Sequence, residues 1–145
     1  IDGQAIAGRM LGQAEQRIGT SAVRAGDRID AGIEVSVYGV HHARLHEDIP
    51  VVLNVGYLVA GRFFHPGDAF TVPDVPVDVL GLPTAAPWLK LSESIDYVRT
   101  VAPRMAVPVH EAIHAMPDMV YQHFRNLALD GTTITVIKPG STAEV

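Results

Sequence analysis

Residues 54–68 read Asn-Val-Gly-Tyr-Leu-Val-Ala-Gly-Arg-Phe-Phe-His-Pro-Gly-Asp and carry the strongest local signal in this chain. A β-rich segment over 51–59 is turned back by Ala60-Gly61 into the apolar pair 63–64, which predicts a β-hairpin. The His-Pro-Gly-Asp that follows predicts a tight turn at the strand end, because Gly tolerates unusual backbone angles and Pro stiffens the chain. The Asp68 carboxylate should then project rigidly from the sheet edge, as a metal ligand must. The alternative is an ordinary turn in which Asp68 bonds to its own backbone.

Strands and helices alternate through the second half of the chain. Strands are predicted over 77–82, 105–109 and 132–138. One helix is predicted from a Ser92 cap to Ala102, before Pro103, and a second from Pro117 with Val120, Phe124 and Leu127 on its apolar face. This alternation predicts an α/β layered domain.

The first half of the chain is less regular. Apolar Ile33, Val35 and Val37 alternate with polar residues, which predicts a half-buried strand over 33–38. Residues 21–30 predict a hairpin around Ala25-Gly26-Asp27. Residues 1–20 read as a weak helix or a linker, best over 2–17, at the start of a single domain covering 1–145.

The composition is that of a globular protein and excludes several classes of partner. Apolar residues make up 48% of the chain and charged residues 19%, with a net charge of −5. Such a chain has no basic field for nucleic acid, and it has no apolar run near the roughly 18 residues of a membrane span. It contains no cysteine, so any metal ligand must be His, Asp or Glu.

The amino terminus, Ile-Asp-Gly-Gln, has neither an initiator Met nor the basic and apolar segments of a signal peptide. We therefore expect a cytoplasmic protein whose chain begins inside a longer gene product. A small-molecule substrate remains the expected partner.

Seven histidines are many for this length, and two groups of them follow predicted strands. His41, His42 and His46 lie in a loop after the 33–38 strand, and at most one of the adjacent pair can face a common site. His110 follows a short apolar strand, with His114 four residues later. Neutral imidazole is a common zinc ligand, but a polar surface loop and a histidine that caps its strand are equally simple explanations.

Taken together, these motifs resemble the metallo-β-lactamase superfamily and, more narrowly, its ascorbate-6-phosphate lactonase-like hydrolases. The likeness rests on Gly39-Val40-His41-His42-Ala43, on residues 54–68 and on Pro108-Val109-His110. Residues 82–88 resemble the loop that lines the family's site, and the whole likeness covers residues 20–138. It implies the C-terminal half of an αββα sandwich, with one mixed sheet and helices on one face.

The resemblance also implies a chemistry and a set of ligands. His42 and His110 would each bind a divalent metal, zinc or manganese, and Asp68 would bridge the ions of a one- or two-metal site. Water activated by the metal would hydrolyse an ester, lactone or phosphodiester.

Four further residues have weaker implied roles. His65 and His114 would orient the ligands from behind, as outer partners of metal sites do. Tyr57 and Trp88 would line the pocket, although both are equally typical of a protein core.

One family signature is absent. The early His-x-His-x-Asp-His motif, which supplies several ligands, does not occur in these 145 residues. The chain would therefore be inactive alone and be completed by an N-terminal half or by a second copy.

Two other classes stay open. The chain could be a non-catalytic α/β module that self-associates through an exposed sheet face, as a homodimer. It could also be a small-molecule binding domain with incidental histidines, in which case His42, Asp68 and His110 should lie far apart.

Overall fold

The computed structural model describes residues 22–144, so the weak helix expected over 2–17 lies outside the described part. Seven strands and two α-helices follow in chain order. The strands are β1 Arg28–Asp30, β2 Glu34–Tyr38, β3 Gly56–Val59, β4 Phe63–His65, β5 Val79–Pro83, β6 Met105–Val109 and β7 Thr133–Ile134. The helices are α1 Leu91–Val101 and α2 Pro117–Leu127, with a short 3-10 helix at Glu111–Ile113.

The strands form one mixed sheet in sequential order from β1 to β7. Neighbours from β1 to β4 pair antiparallel, and those from β4 to β7 pair parallel. Helices α1 and α2 provide the crossovers between β5, β6 and β7, as parallel pairing requires. The predicted α/β class is confirmed.

The hydrophobic core lies between both α-helices and one face of the sheet. Phe64 and Leu80 pair in register on this face and are completely buried. The rest of the core cluster comes from the same face, from the helices and from the segment just before β5: Leu58, Val77, Leu82, Ile95, Tyr97, Val98, Ala106, Val120, Phe124 and Ile134. Because buried residues of both helices belong to this one cluster, the helices lie on one face, as expected.

The opposite face of the sheet is apolar but only partly covered. Side chains alternate between faces along a strand, so Tyr57, Phe63 and Val107 point away from the helices. Phe63 is 36% exposed, and Tyr57 and Val107 are half-buried. This face is therefore a second apolar surface without a helical layer in the described residues.

The N-terminal hairpin differs from the prediction. The turn lies between β1 and β2 rather than at residues 25–27, because the Asp30 carboxylate accepts the Gly32 N–H at 3.0 Å and closes the chain there. Residues 25–26 form a separate turn that leads into β1, and the Gly26 N–H donates to the Val37 carbonyl.

Two predicted boundaries and one predicted helix face also differ from the structure. Helix α1 begins at Leu91 with Lys90 as its cap, because the Glu93 carboxylate accepts the Lys90 N–H. In α2 Tyr121 is buried and Leu127 is 40% exposed, so Leu127 does not share the buried face. Strand β7 is short because it pairs with only two residues of β6. Neither described helix has the length and apolarity needed to cross a bilayer.

Candidate metal centre

Asp68 lies at the end of a turn held by hydrogen bonds on both sides. Gly67 adopts a left-handed φ of 69°, which glycine reaches at little cost. The Gly67 N–H donates to His65 Nδ1 at 3.0 Å, and the Asp68 N–H donates to Asn54 Oδ1 at 2.9 Å. The Asp68 backbone bonds to Asn54 rather than to its own side chain, and the carboxylate remains 47% exposed.

His42 reaches Asp68 from the segment after β2. Its N–H donates to the Val52 carbonyl, and the next N–H, of Ala43, donates to the Asp68 carbonyl at 2.8 Å. The His42 Nδ1 lies 2.5 Å from the Ala43 carbonyl, so this nitrogen carries the proton of the neutral ring. The His42 Nε2 keeps its lone pair and lies 3.8 Å from Asp68 Oδ2.

His110 approaches the same carboxylate from the end of β6. Its backbone is left-handed, with φ 66° and ψ 7°, a conformation that costs a non-glycine residue about 1–3 kcal/mol. The His110 Nδ1 lies 3.6 Å from Asp68 Oδ1. The residue with this unusual backbone conformation is thus the one whose imidazole lies near Asp68.

The arrangement has the chemistry of a divalent-metal site but is not closed. Two atoms bound to one tetrahedral ion at about 2.1 Å lie about 3.4 Å apart. The two His–Asp distances, 3.8 and 3.6 Å, are close to this value and too long for hydrogen bonds. Each imidazole faces a different carboxylate oxygen. Within residues 22–144 no group of three or more His, Asp or Glu side chains is arranged so that it could hold a metal ion. His42, Asp68 and His110 therefore supply donor types that divalent metals accept, but the described residues do not form a complete metal site.

His65 lies beside these residues on the less covered face of the sheet. Its ring centroid is 6.4 Å from that of His110. Burial, and then the nearby His110, hold the pKa of His65 below its usual range, while Asp68 acts in the opposite direction. Because Nδ1 accepts the Gly67 N–H, the proton of the neutral ring is on Nε2.

The other sequence-predicted histidines contact different groups. His114 Nε2 lies 3.3 Å from the Thr84 carbonyl, and the Thr84 hydroxyl donates to the carbonyl of Val109, the residue before His110. His41 is exposed and pairs with Leu53 in an isolated bridge. His46 is exposed and accepts the Asp48 N–H.

An aromatic wall borders the site on the His42 side. Trp88 packs edge-on against His42, with ring centroids 6.0 Å apart. Phe70 packs against Trp88 at 5.0 Å and against Tyr97 at 4.9 Å. Tyr57 lies opposite His65 in the β3–β4 register, and burial raises the pKa of its phenol.

Two residues of this environment were missed from the sequence. Asn54 carries a weak signal, since Asn is unfavourable in a β-rich segment and so needs a local reason. Phe70 carries none, because its role depends on side chains more than 15 residues away.

Two solved structures have a fold similar to that of this chain. Igni18, a metallo hydrolase from Ignicoccus hospitalis, superposes with a TM-score of 0.61 at 18% identity, over 92% of this chain and 64% of that one. A protein assigned as a metal-dependent hydrolase from Parabacteroides distasonis gives 0.58 at 13% identity, over 86% and 60%. At these identities the likeness concerns the fold alone.

One curated relative has clear sequence similarity. Protein Rv0786c of Mycobacterium tuberculosis is 44% identical over an alignment of 128 residues that covers 84% of this chain and 60% of that protein. The chain thus spans less than two thirds of this relative and of both similar structures. No family model matches the chain.

Proposed function

We propose that this chain is the C-terminal half of a metallo-β-lactamase-fold hydrolase, in the lactonase-like branch, and that it supplies His42, Asp68 and His110 as ligands of zinc or manganese. The observation that carries the proposal is the Asp68 carboxylate, which lies within 4 Å of two imidazoles from separate segments. The third class considered above, with scattered histidines, predicted large separations and is disfavoured by these distances. The fold of the two similar structures supports the same class.

The described residues suit this role chemically. Imidazole and carboxylate are ligands that zinc and manganese accept. The Ala43 carbonyl fixes the His42 ring with Nε2 toward Asp68. A bound ion would polarise an ester, lactone or phosphodiester and lower the pKa of water that attacks it. Trp88 then borders the space available to a small-molecule substrate.

We expect the chain to bind metal more weakly than a complete site and to need further ligands for hydrolysis. The His-x-His-x-Asp-His motif is absent from its 145 residues, and the chain spans 60% of its curated relative. Adding the first half of the fold should therefore raise both the affinity for metal and the activity.

The test is Zn²⁺ binding to chelator-treated protein, measured by isothermal titration calorimetry. Asp68→Asn keeps the size of the side chain and removes its charge, so we expect the affinity to fall at least about 100-fold, more than loss of an outer partner costs. Asp96→Asn, at an exposed position of α1, is the matched control and should bind as the wild type does. Equal affinity in Asp68→Asn and the wild type would contradict the ligand assignment.

The less covered sheet face favours a second candidate function, self-association. Phe63 is 36% exposed there, beside the half-buried Tyr57 and Val107, and contiguous apolar surface of this kind is typical of interfaces. A second copy, or the missing half of the sandwich, would cover it.

Sedimentation equilibrium tests this second candidate. Phe63→Lys should weaken dimerisation at least about tenfold, because it places an unpaired charge in an apolar interface. Met119→Lys, at a 55% exposed position on α2, should leave the association unchanged. A wild-type chain that stays monomeric at all concentrations would exclude self-association.

A further inference from the structure

We propose that Asn54 is a positioning residue: its side-chain amide holds the Asp68 turn and sets the carboxylate against His42 and His110. Its effect on metal binding rests on the proposed function above, whereas its hold on the turn does not. Asn54 lies before β3, and its amide spans the turn that follows β4.

The amide of Asn54 makes two complementary hydrogen bonds across the turn. Its Nδ2 donates to the Pro66 carbonyl at 2.9 Å, and its Oδ1 accepts the Asp68 N–H at 2.9 Å. One partner is an acceptor and the other a donor, so the orientation of the amide is fixed by the bonds themselves. Only a side chain with both functions, at this length, satisfies both groups.

Gly67, which lies between Pro66 and Asp68, is in close contact with the Asn54 amide. A Cβ at Gly67 would collide with Asn54 Oδ1, and it would also lie tightly at 3.1 Å from Cγ and 3.2 Å from Nδ2. Gly67 is therefore needed for its left-handed φ and also for the approach of Asn54. The turn and the amide form one packed unit.

The backbone near Asn54 also holds the segment that carries His42. The Asn54 N–H donates to the Val40 carbonyl at 3.1 Å, and the Val52 carbonyl accepts the His42 N–H at 2.9 Å. The Ala43 N–H donates to the Asp68 carbonyl. The segment that carries His42 is therefore bonded both to the residues around Asn54 and to the Asp68 turn. Asn54 thus lies at the junction of the two segments whose side chains meet at 3.8 Å.

A purely structural asparagine would stabilise the hairpin without affecting the carboxylate. The two roles differ in what Asn54→Ala changes. A positioning role predicts weaker metal binding in a protein that is still folded, and faster hydrogen exchange at the Asp68 amide in the metal-free state. A structural role predicts a lower melting temperature with unchanged Zn²⁺ affinity.

The experiment measures Zn²⁺ affinity by calorimetry and amide exchange by NMR in wild type, Asn54→Ala, Asn54→Asp and Asn126→Ala. Asn54→Ala should weaken Zn²⁺ binding about 10- to 100-fold and speed exchange at the Asp68 amide about fivefold or more. Asn54→Asp keeps the oxygen that accepts the Asp68 N–H, so it should retain most of the exchange protection. Asn126→Ala, on the exposed surface of α2, should match the wild type in both measurements.

The outcomes separate this proposal from the proposed function. If the wild type binds Zn²⁺ and Asn54→Ala binds it equally well, the positioning role is overturned. If the wild type binds no Zn²⁺, the metal site fails, and faster exchange at Asp68 in Asn54→Ala alone still supports the hold on the turn. If Asn54→Ala does not fold, Asn54→Asp decides: protection at Asp68 supports the proposal, and wild-type Zn²⁺ affinity with lost protection overturns it.

Discussion

At the scale of single residues, His65 is a described histidine whose pKa is lowered by its environment. Burial is the main reason that its pKa is lowered, and the neighbouring His110 adds to the effect. The unfolded chain, with an ordinary His pKa of about 6.5, binds a proton more readily than the folded one. The contribution of His65 to stability is therefore complete above pH 6.5 or so, and it is lost as the pH falls through the lower, folded pKa.

The direction in which His65 makes stability depend on pH gives a prediction for the metal-free protein. His65→Asn places an amide oxygen near the position of Nδ1, so the bond from the Gly67 N–H can persist while the titration is removed. We expect the free energy of unfolding to fall less steeply below about pH 6.5 in this variant than in the wild type. Denaturant unfolding at several pH values, with chelator present, measures the slope.

The matched control is His123→Asn, at an exposed position of α2, which should keep the wild-type slope. A His65→Asn variant with the same slope as the wild type would show that His65 does not titrate differently in the folded chain.

Substitutions at two glycines allow the effects of backbone strain and of side-chain packing at the Asp68 turn to be measured separately. Gly67 and Gly61 have similar left-handed angles, φ 69° and 64°, but a Cβ at Gly61 would meet open space. Both Gly→Ala changes incur the backbone cost, and only Gly67→Ala adds the collision with Asn54. We expect Gly67→Ala to lower the free energy of unfolding by about 1–3 kcal/mol more than Gly61→Ala does. Equal losses in chemical denaturation would mean that Asn54 moves aside freely.

At the scale of elements, helix α1 is fixed to the sheet by a buried polar contact. The Ser94 hydroxyl donates to the Pro83 carbonyl at the end of β5, and Ser94 is fully buried. Tyr97 in the same helix donates to the Thr71 carbonyl at 2.7 Å. These bonds hold the helix beside the strand end that leads into the Trp88 loop.

Ser94→Ala tests how much this contact contributes. The change leaves the Pro83 carbonyl without its donor in a buried place, so we expect a loss of about 1–3 kcal/mol in the free energy of unfolding. Ser92→Ala, exposed in the first turn of the same helix, should change it by less than about 0.5 kcal/mol. Similar small changes in both variants, measured by urea unfolding, would mean that apolar packing alone fixes α1.

At the scale of the whole molecule, the two faces of the sheet differ in how much they are covered. Phe63 and Phe64 are adjacent in β4 and point to opposite faces of the sheet. Phe64 is completely buried under the helices, whereas Phe63 is 36% exposed. Phe64→Ala should cost about 3–5 kcal/mol in the free energy of unfolding, as for a large core residue.

Phe63→Ala should cost less than about 1.5 kcal/mol in the monomer, because much of its ring already contacts water. Thermal and urea unfolding at low protein concentration measure both variants. A cost for Phe63→Ala equal to that of Phe64→Ala would show that another layer covers this face in solution.

Local sequence determined the parts of this protein that depend on neighbouring residues. The β3–β4 hairpin, the turn before Asp68, strand β6 ahead of His110 and both α-helices follow from alternation, turn residues and helical periodicity. Their approximate order also indicated the α/β class. An element boundary differed from the prediction where a single contact decides it, as the bond from the Lys90 N–H to the Glu93 carboxylate does at the start of α1.

Only the tertiary structure decided which of these residues meet. The residue pattern alone left His41 and His42 as alternatives, and the family resemblance favoured His42. In the structure, backbone pairing over residues 40–54 places His42 near Asp68 and leaves His41 exposed. Asn54 became a partner of residues 12 and 14 positions away only when the hairpin brought them together. The physical reason is that local propensity acts over a few residues, whereas the candidate site is built from contacts across strands whose positions are set by the packing of the whole sheet.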